Sequence, residues 1–179
     1  AIAEIMQEAS ITLKNLAAVA VIHGPGSYTG LRVGLAGAKG ICYGLSVPLI
    51  TVNTLEWMAG ACKNEEADLF CPMIDARRME VFTALYNRSL EEISPPSSLI
   101  LQPESFFKEL ETNKILFFGN GAQKFSTLLS HKNARFETLF PGADEFASIS
   151  WKRYQNGIFA DLIYSEPLYV KAFYTPVKN

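Results

Sequence analysis

Short apolar runs and amphipathic stripes alternate along this chain. Apolar runs of strand length predict β-strands at Ala17–Ile22, Leu49–Val52, Leu69–Ile74 and Met79–Tyr86. Small and apolar residues recur at helical spacing between these runs, which predicts helices at Tyr28–Leu45 and Thr54–Cys62. Strands that alternate with helices are typical of a mixed α/β sheet.

The alternation continues towards the end of the chain after one polar interruption. The Asp75–Arg78 turn joins two apolar runs and predicts a hairpin, whereas Glu91–Ser98 contains two prolines and predicts a turn-rich connector. We expect further helices and strands at Pro103–Glu111 (helix), Lys114–Phe118 (strand), Ala122–Ser130 (helix), Phe146–Tyr164 (helix) and Pro167–Val170 (strand). The phenylalanines of this region are expected in the core: Phe106, Phe107, Phe117, Phe118 and Phe125.

Composition narrows the class of protein. The 179 residues, 49% hydrophobic and 19% charged, suffice for a core in one domain or two small lobes. The net charge is −2, and the sequence has no basic run of the kind that a stand-alone RNA-binding protein uses to neutralise phosphates. Three cysteines without metal-type spacing, and no signal-peptide pattern, predict reduced thiols in the cytoplasm. No apolar run approaches transmembrane length, so we expect no membrane partner.

A glycine-rich loop separates the first predicted strand from the long helix. Gly24 and Gly26 flank Pro25, which makes a stiff turn, and the hydroxyl of Ser27 or Thr29 can cap the helix. A strand, glycine loop and helix can aim backbone N–H groups at an anion or can pack a helix very closely. Gly24, Gly26, Ser27 and Thr29 are therefore candidate nucleotide or cleft residues; the alternative is a loop that only shapes the turn.

The long helix carries an unusual number of glycines on one face. Gly30, Gly34, Gly37 and Gly44 recur at helical spacing, with Ile41 in the remaining place. Each interior glycine destabilises a helix by roughly 1 kcal/mol relative to alanine. The face therefore predicts the close approach of another backbone, from a neighbouring helix or a partner subunit. A short apolar stripe of Ala1, Ile2, Ile5, Met6 and Ala9 predicts a helix at the beginning of the chain.

The densest charge cluster is formed by Asp75, Arg77, Arg78 and Glu80. These residues could line a nucleotide or partner site, or they could be solvated charges of a hairpin turn with one exposed ion pair. A second glycine turn, Gly119–Gly121, follows a predicted strand and is placed like a phosphate loop, although such glycines are common for geometry alone. Further candidate nucleotide or cleft residues are therefore Asp75, Arg77, Gly119 and Gly121.

Residues typical of a catalytic centre are missing from the sequence pattern. The two histidines, His23 and His131, have no partner at metal-ligand spacing, so we expect no metal site. Ser27 lacks the Gly-x-Ser-x-Gly context of a hydrolase nucleophile. We therefore predict no catalytic residue in this chain.

Several specific segments occur in a fixed order. They are Gly24–Gly34, Ala38–Gly40, Val47–Leu55, Ile74–Arg78, Glu80–Phe82, Gly119–Ala122 and Glu166–Lys171. In order and spacing they resemble the TsaB family, also called YeaZ, of bacterial tRNA threonylcarbamoyladenosine biosynthesis. The resemblance is close over Val19–Leu55 and continues as islands along the rest of the chain.

The resemblance implies the two-lobed, actin-like fold of the sugar kinase and Hsp70 group. It makes residues 1–60 the remainder of an N-terminal lobe with partner-binding helices and residues 61–179 the C-terminal lobe, with the boundary near Glu56–Asp68. Family members begin with a strand carrying an Ile-Asp-Thr-Ser type motif and a hairpin. This sequence shows neither, and Ala1–Ala9 is interpreted as the end of the first helix. We therefore expect an incomplete N-terminal lobe that lacks the N-terminal strands.

The resemblance also implies a function without catalysis by this chain. Such a protein is a partner subunit that binds a TsaD-type catalytic subunit, joined by a TsaE-type ATPase, in threonylcarbamoyladenosine synthesis. Contact with tRNA would be indirect, ATP or ADP would lie at the interface of the complex, and the chain alone would bind no cofactor and form a homodimer. The expected interface residues are Ile2, Ile5, Met6, Ala9, Gly30, Arg32, Val33, Gly34, Gly37, Ile41 and Gly44.

Two other classes of function stay open at this point. One is an ATP-binding phosphotransferase-like enzyme of the same fold, for which Asp75 is the nearest candidate for a catalytic carboxylate. The other is a glycoprotease-type peptidase, which needs a metal or a nucleophile that the sequence does not offer. Nucleotide binding by the isolated chain would distinguish the first of these from a partner subunit.

Overall fold

The structure is a computed structural model and describes residues 2–171; Ala1, assigned above to the first apolar stripe, and the segment 172–179 lie outside that range. The helices are α1 (Ile2–Glu8), α2 (Tyr28–Leu45), α3 (Thr54–Gly60), α4 (Phe107–Thr112), α5 (Ala122–Ser126) and α6 (Ala143–Gln155). The strands are β1 (Val19–Gly24), β2 (Leu49–Asn53), β3 (Leu69–Asp75), β4 (Glu80–Asn87), β5 (Glu92–Ile100), β6 (Ile115–Phe118) and β7 (Ala134–Glu137). Within the described range, no helix is long and apolar enough to cross a membrane.

The smaller of two sheets pairs β1 with β2 in parallel, and α2 makes the crossover between them. The backbone N–H of Gly30 donates to the Ser27 hydroxyl at 3.3 Å, which confirms Ser27 as the N-cap. The helix buries one stripe at helical spacing, formed by Leu31, Leu35, Ala38 and Cys42. Because this stripe packs on the sheet, the glycine face of α2 is turned away from it.

The larger sheet has the strand order β5-β4-β3-β6-β7. Strands β3, β4 and β5 pair antiparallel, which confirms the predicted hairpin at Asp75–Arg78, whereas β3, β6 and β7 pair in parallel. Phe117, Phe118 and Phe125 are fully buried in the cores of this sheet, and Phe106 packs against them. The prediction for Phe107 was wrong, because its side chain is 49% exposed on α4.

Several predicted elements differ from the structure. The predicted connector Glu91–Ser98 is mostly strand β5, and β7 was not predicted. Helix α6 ends at Gln155 rather than Tyr164, because Gly157 adopts a left-handed φ of 65° that stops the helix. The segment Pro167–Val170 forms no strand; it contributes a backbone hydrogen bond from Leu168 N to His23 O at 2.7 Å.

The end of the chain returns to the smaller sheet. Helix α6 packs against β2 and α3, and Ala160 forms an antiparallel bridge with Leu49. Residues 160–171, here called the C-terminal strap, then run along α2, where Lys39 Nζ donates to the carbonyls of Ile163 at 2.9 Å and Ser165 at 3.1 Å. The strap ends with an ion pair between Lys171 and Glu80 of the larger sheet. It thus connects the two sheets.

Candidate partner interface and cleft

The exposed face of α2 consists largely of glycines without neighbours. A Cβ added at Gly37, Gly40 or Gly44 would have no heavy atom of the described chain within 4 Å beyond the backbone of its own helix. Val33 on the same face is 67% exposed. The close approach of another backbone, which the glycine spacing predicts, is therefore not provided by the described part of this chain.

The edge of this face is less open. A Cβ at Gly34 would lie 3.8 Å from Val21 Cγ2, and one at Gly30 would lie 3.4 Å from the side chain of Ser27. The Arg32 guanidinium lies 5.1 Å from the centre of the Tyr28 ring and also donates to its hydroxyl. Ile41 is half-buried. Substitutions at the edge therefore disturb intrachain contacts as well as any partner contact.

Helix α1 adds an exposed apolar surface. Ile2 and Ile5 are 58% and 63% exposed, Ala9 just beyond the helix is exposed, and Met6 is half-buried. No residue of α1 is buried. An amphipathic helix normally buries one stripe, so α1 gains little from the contacts that the described chain provides.

The first glycine loop packs against the C-terminal strap. Gly24 and Pro25 are buried, and Gly24 has a φ of 127°. A Cβ on Gly24 would lie 2.7 Å from Leu168 O, so only glycine fits there. The Ser27 hydroxyl and carbonyl accept from the N–H groups of Gly30 and Leu31, and Thr29 is exposed. Packing against the strap thus explains the glycine at position 24, and capping of α2 explains Ser27.

The second glycine turn packs against the larger sheet in a similar way. Gly119 has a φ of 95°, and a Cβ there would lie 2.5 Å from Met73 O. A Cβ on Gly121 would lie 2.8 Å from Val81 Cγ1, and its N–H donates to Met73 O at 3.0 Å. The N–H of Ala122 is also bound, to Gly119 O at 3.1 Å. The backbone N–H groups of Gly121 and Ala122 are thus engaged within the protein rather than free to hold a phosphate.

An open cavity of about 470 Å³ lies beside this second turn, at the carboxyl ends of β6 and β7. Its lining includes the polar side chains of Asn120, Gln123 and Glu137 and the ring of Phe140. Crevices at the carboxyl ends of parallel strands commonly bind ligands. Among the described residues that line the cavity there is no lysine, arginine or histidine, so they offer no cation to a phosphate.

The charge cluster at the β3–β4 turn is organised by Lys124 of α5. Its ammonium group lies 2.7 Å from Asp75 Oδ1 and donates to the carbonyls of Arg78, at 2.9 Å, and Glu80. The hydrogen bond from Lys124, followed by that from the Arg77 N–H, lowers the pKa of Asp75 below its ordinary value. Sequence reasoning missed Lys124, because 49 residues separate it from Asp75 and only the fold joins them.

Arg77 and Arg78 occupy the tip of this turn. Both have left-handed backbones, with φ values of 69° and 52°, and both are exposed. Residues other than glycine and asparagine seldom adopt this conformation, so two consecutive arginines in it are unusual. The structure brings Asp75 and Gly121 together, because a Cβ on Gly121 would lie 3.2 Å from Asp75 N. The C-terminal strap links the first glycine loop to this region.

His23, Cys62 and Cys71 are potential nucleophiles or metal ligands, and each is either hydrogen-bonded or buried within the protein. His23 Nδ1 lies 3.0 Å from Val52 O, which makes Nδ1–H the donor. Burial raises the pKa of the Cys62 and Cys71 thiols to about 12, so both are protonated at neutral pH. In the part of the chain that the structure describes, no three His, Cys, Asp or Glu side chains are grouped to hold a metal ion.

Several known proteins resemble this chain in sequence, in fold or in both. A protein-family model described as "TsaD: tRNA N6-adenosine threonylcarbamoyltransferase" matches residues 1–150. The tRNA threonylcarbamoyladenosine biosynthesis protein TsaB of Escherichia coli is 29% identical over 176 residues, which are 94% of this chain and 76% of that protein. TsaB of Bacillus subtilis is 31% identical over 123 residues, which are 67% of this chain and 53% of that protein.

Solved structures agree on the fold. YeaZ from Pseudomonas aeruginosa superimposes with a TM-score of 0.73 at 22% identity, covering 94% of this chain and 81% of that one. A Pseudomonas aeruginosa protein described as similar to peptidase YEAZ superimposes with a TM-score of 0.81 at 21% identity, covering 95% and 81%. The expected α/β, actin-like fold is thereby confirmed. The chain belongs to the TsaD-type threonylcarbamoyltransferase family and, within it, to the TsaB (YeaZ) proteins.

Proposed function

We propose that this chain is a non-catalytic partner subunit in the synthesis of threonylcarbamoyladenosine in tRNA, and that it binds a TsaD-type catalytic subunit. The curated relatives are named for this biosynthesis. The protonated thiols of Cys62 and Cys71 and the bound imidazole of His23 support a role without nucleophilic catalysis. Contact with tRNA is then made mainly through the catalytic subunit.

The exposed glycine face of α2 carries this proposal. An interior glycine destabilises an exposed helix by roughly 1 kcal/mol relative to alanine. Gly37, Gly40 and Gly44 have no neighbour in the described chain that would require glycine. A partner helix that packs on this face can approach the backbone closely, and its contacts offset the low helix propensity. The exposed Ile2, Ile5 and Val33 would add apolar area to the same interface.

The proposal has two consequences for assembly. Without the catalytic subunit, the glycine face of one copy packs against that of a second copy and forms a homodimer. With it, the heterodimer replaces the homodimer, and a TsaE-type ATPase joins the heterodimer. A surface that is shared by both dimers makes the two assemblies mutually exclusive.

The proposal also assigns the nucleotide to the assembly rather than to the isolated chain. The N–H groups of Gly121 and Ala122 are bound within the protein, and the described residues that line the cavity beside them include no cation. ATP or ADP would then be held at the interface of the complex. Isothermal titration of the isolated chain with ATP is expected to show no binding, whereas micromolar affinity would favour the phosphotransferase-like alternative.

The decisive experiment is size-exclusion chromatography with light scattering, with and without a TsaD-type partner. Gly37→Leu places a large side chain in the open centre of the face and should abolish the heterodimer, since a Cβ there meets no other element of the described chain. Ala143→Leu adds the same side chain at an exposed position on α6 and should leave the heterodimer intact. Equal heterodimer formation by both variants would show that α2 is not the interface.

A further inference from the structure

A second cavity, of about 430 Å³, lies away from the glycine face of α2. It is enclosed by α3 and the loop after it, the β4–β5 turn and α6; we call it the α3–α6 cavity. Its size falls in the range of small-molecule sites, about 300–1,000 Å³. The contacts described above for the interface and the cleft do not involve it.

The lining of the α3–α6 cavity is strongly cationic. Lys63, Lys152 and Arg153 supply three positive charges against the single carboxylate of Glu56. The whole chain has a net charge of −2, so this concentration of positive charge is local. A concave surface lined by one sign of charge attracts ligands of the opposite sign.

The carboxylate in the cavity is already neutralised. Arg153 Nη2 lies 2.5 Å from Glu56 Oε2, and Arg153 also donates to the carbonyl of Thr51. Both side chains of the ion pair are mostly buried, with 25% and 23% exposed. The charges of this ion pair therefore cancel, and Lys63 and Lys152 supply the remaining positive charge of the cavity.

Lys63 and Lys152 have no such partner. Within residues 2–171 neither ammonium group forms an ion pair or a hydrogen bond, and both side chains are exposed at the cavity. The hydroxyl groups of Ser89 and Ser148 line the same space and likewise form no hydrogen bond in the described chain. Two ammonium groups and two hydroxyls, from the loop after α3, the β4–β5 turn and α6, can donate to several oxygens of one ligand.

We propose that the α3–α6 cavity binds a phosphate group through Lys63, Lys152, Ser89 and Ser148. Phosphate offers several strong acceptor oxygens and about two negative charges, which matches this donor set. The phosphate belongs to a small phosphorylated molecule or to an RNA backbone. The remaining walls are the amide of Asn156 and the aliphatic side chains of Leu90, Ile149 and Ile158. None of these lining residues is aromatic, so the donors recognise the phosphate rather than a stacked base.

The helix dipole of α6 offers a competing explanation for the presence of Lys152. Lys152 is in the last turn of α6, where a cation stabilises the negative end of the helix dipole. That explanation does not apply to the hydroxyls of Ser89 and Ser148 or to the convergence of four donors on one cavity. It predicts a loss of stability without a loss of ligand binding when Lys152 is neutralised, and the experiment must separate the two.

The test is NMR titration of the ¹⁵N-labelled full chain with inorganic phosphate, ribose 5-phosphate and a short single-stranded oligoribonucleotide. Saturable shifts at the amides of Ser89 and Asn156 are expected with at least one probe. Lys63→Gln/Lys152→Gln should weaken that binding by about tenfold or more, because hydrogen bonds to charged groups are the strong ones. Lys108→Gln, which neutralises an exposed lysine on α4, is the matched control and should bind like the wild type.

The probes identify the source of the phosphate. Shifts with ribose 5-phosphate or inorganic phosphate assign a small-molecule site, and shifts with the oligoribonucleotide alone assign an RNA backbone contact. No saturable shift with any probe overturns the proposal. So does equal binding by the double variant and the wild type, including the case in which the double variant has only a lower melting temperature.

Discussion

The carbonyl oxygen of Leu168 occupies the position that a side chain on Gly24 would need. A Cβ on Gly24 would lie 2.7 Å from that oxygen, and the φ of Gly24 is 127°. The N–H of Leu168 donates to His23 O at 2.7 Å and holds the strap in this position. The first glycine loop thus packs against the C-terminal strap. Beyond this contact the strap continues to Lys171, which forms the ion pair with Glu80.

Gly24→Ala should therefore destabilise the protein by about 2 kcal/mol or more, because it combines an unfavourable φ with a backbone clash. The measurement is urea unfolding followed by circular dichroism. Gly26→Ala is the matched control: its Cβ would meet Leu31 Cδ1 at an ordinary 3.9 Å, so it should change stability by no more than about 0.5 kcal/mol. Equal effects of the two substitutions would mean that the strap does not constrain the loop.

Gly37→Ala should have the opposite effect on the isolated chain. A methyl group at this position meets no other element of the described chain within 4 Å, and alanine has the higher helix propensity. We expect a gain in the free energy of unfolding of about 0.5–1 kcal/mol, measured at a protein concentration where the chain is monomeric. A loss of stability in the monomer would mean that Gly37 serves an intrachain contact and would remove the main support for the α2 interface.

The long elements of the fold were predictable because their patterns are local. Helix α2 was placed at Tyr28–Leu45, its observed bounds, since its buried stripe, its N-cap Ser27 and the loop before it all agree. Strand β5 was missed because Pro95 and Pro96 indicate a turn. Strand β5 lies at the edge of the sheet, where a residue without an N–H donor is tolerated. Its position in the sheet, which the local sequence does not show, therefore allows the two prolines in a strand.

The candidate site was predictable only in part, for a similar reason. The glycine spacing of α2 and the two glycine turns can be recognised from residues that are neighbours in the sequence. The contacts that give those turns their structural role come from Leu168 and Met73, and the ion-pair partner of Asp75 is Lys124. All three residues are distant in the chain from the residues that they contact. Sequence reasoning could name Gly24 and Asp75, but it could not find the residues that pack against them.

The ion pair of Asp75 with Lys124 predicts an acid-dependent contribution to stability. The pKa of Asp75 is lowered from its ordinary value of 3.8, so the carboxylate stabilises the fold above that value and the contribution is lost as the pH falls through the lower, folded pKa. Lys124→Met should return the pKa of Asp75 towards 3.8 in a carboxyl NMR titration. Asp75→Asn keeps an acceptor for the Arg77 N–H, so its stability deficit should be present at neutral pH and shrink under acid. A deficit that does not change with pH would mean that the charge of Asp75 has no role.

The three cysteines should be unreactive in the folded protein. All three are buried, and raising the pKa of Cys62 and Cys71 from 9.0 to about 12 lowers their thiolate fraction about a thousandfold. Reaction with Ellman's reagent should therefore be slow in buffer and complete in guanidinium, at a rate that follows opening of the fold. Ala143→Cys places a thiol at an exposed position on α6, away from the proposed interface, and should react within the mixing time of the assay. A native thiol that reacts as fast as this added one would reveal an accessible thiolate and would reopen the case for a cysteine nucleophile.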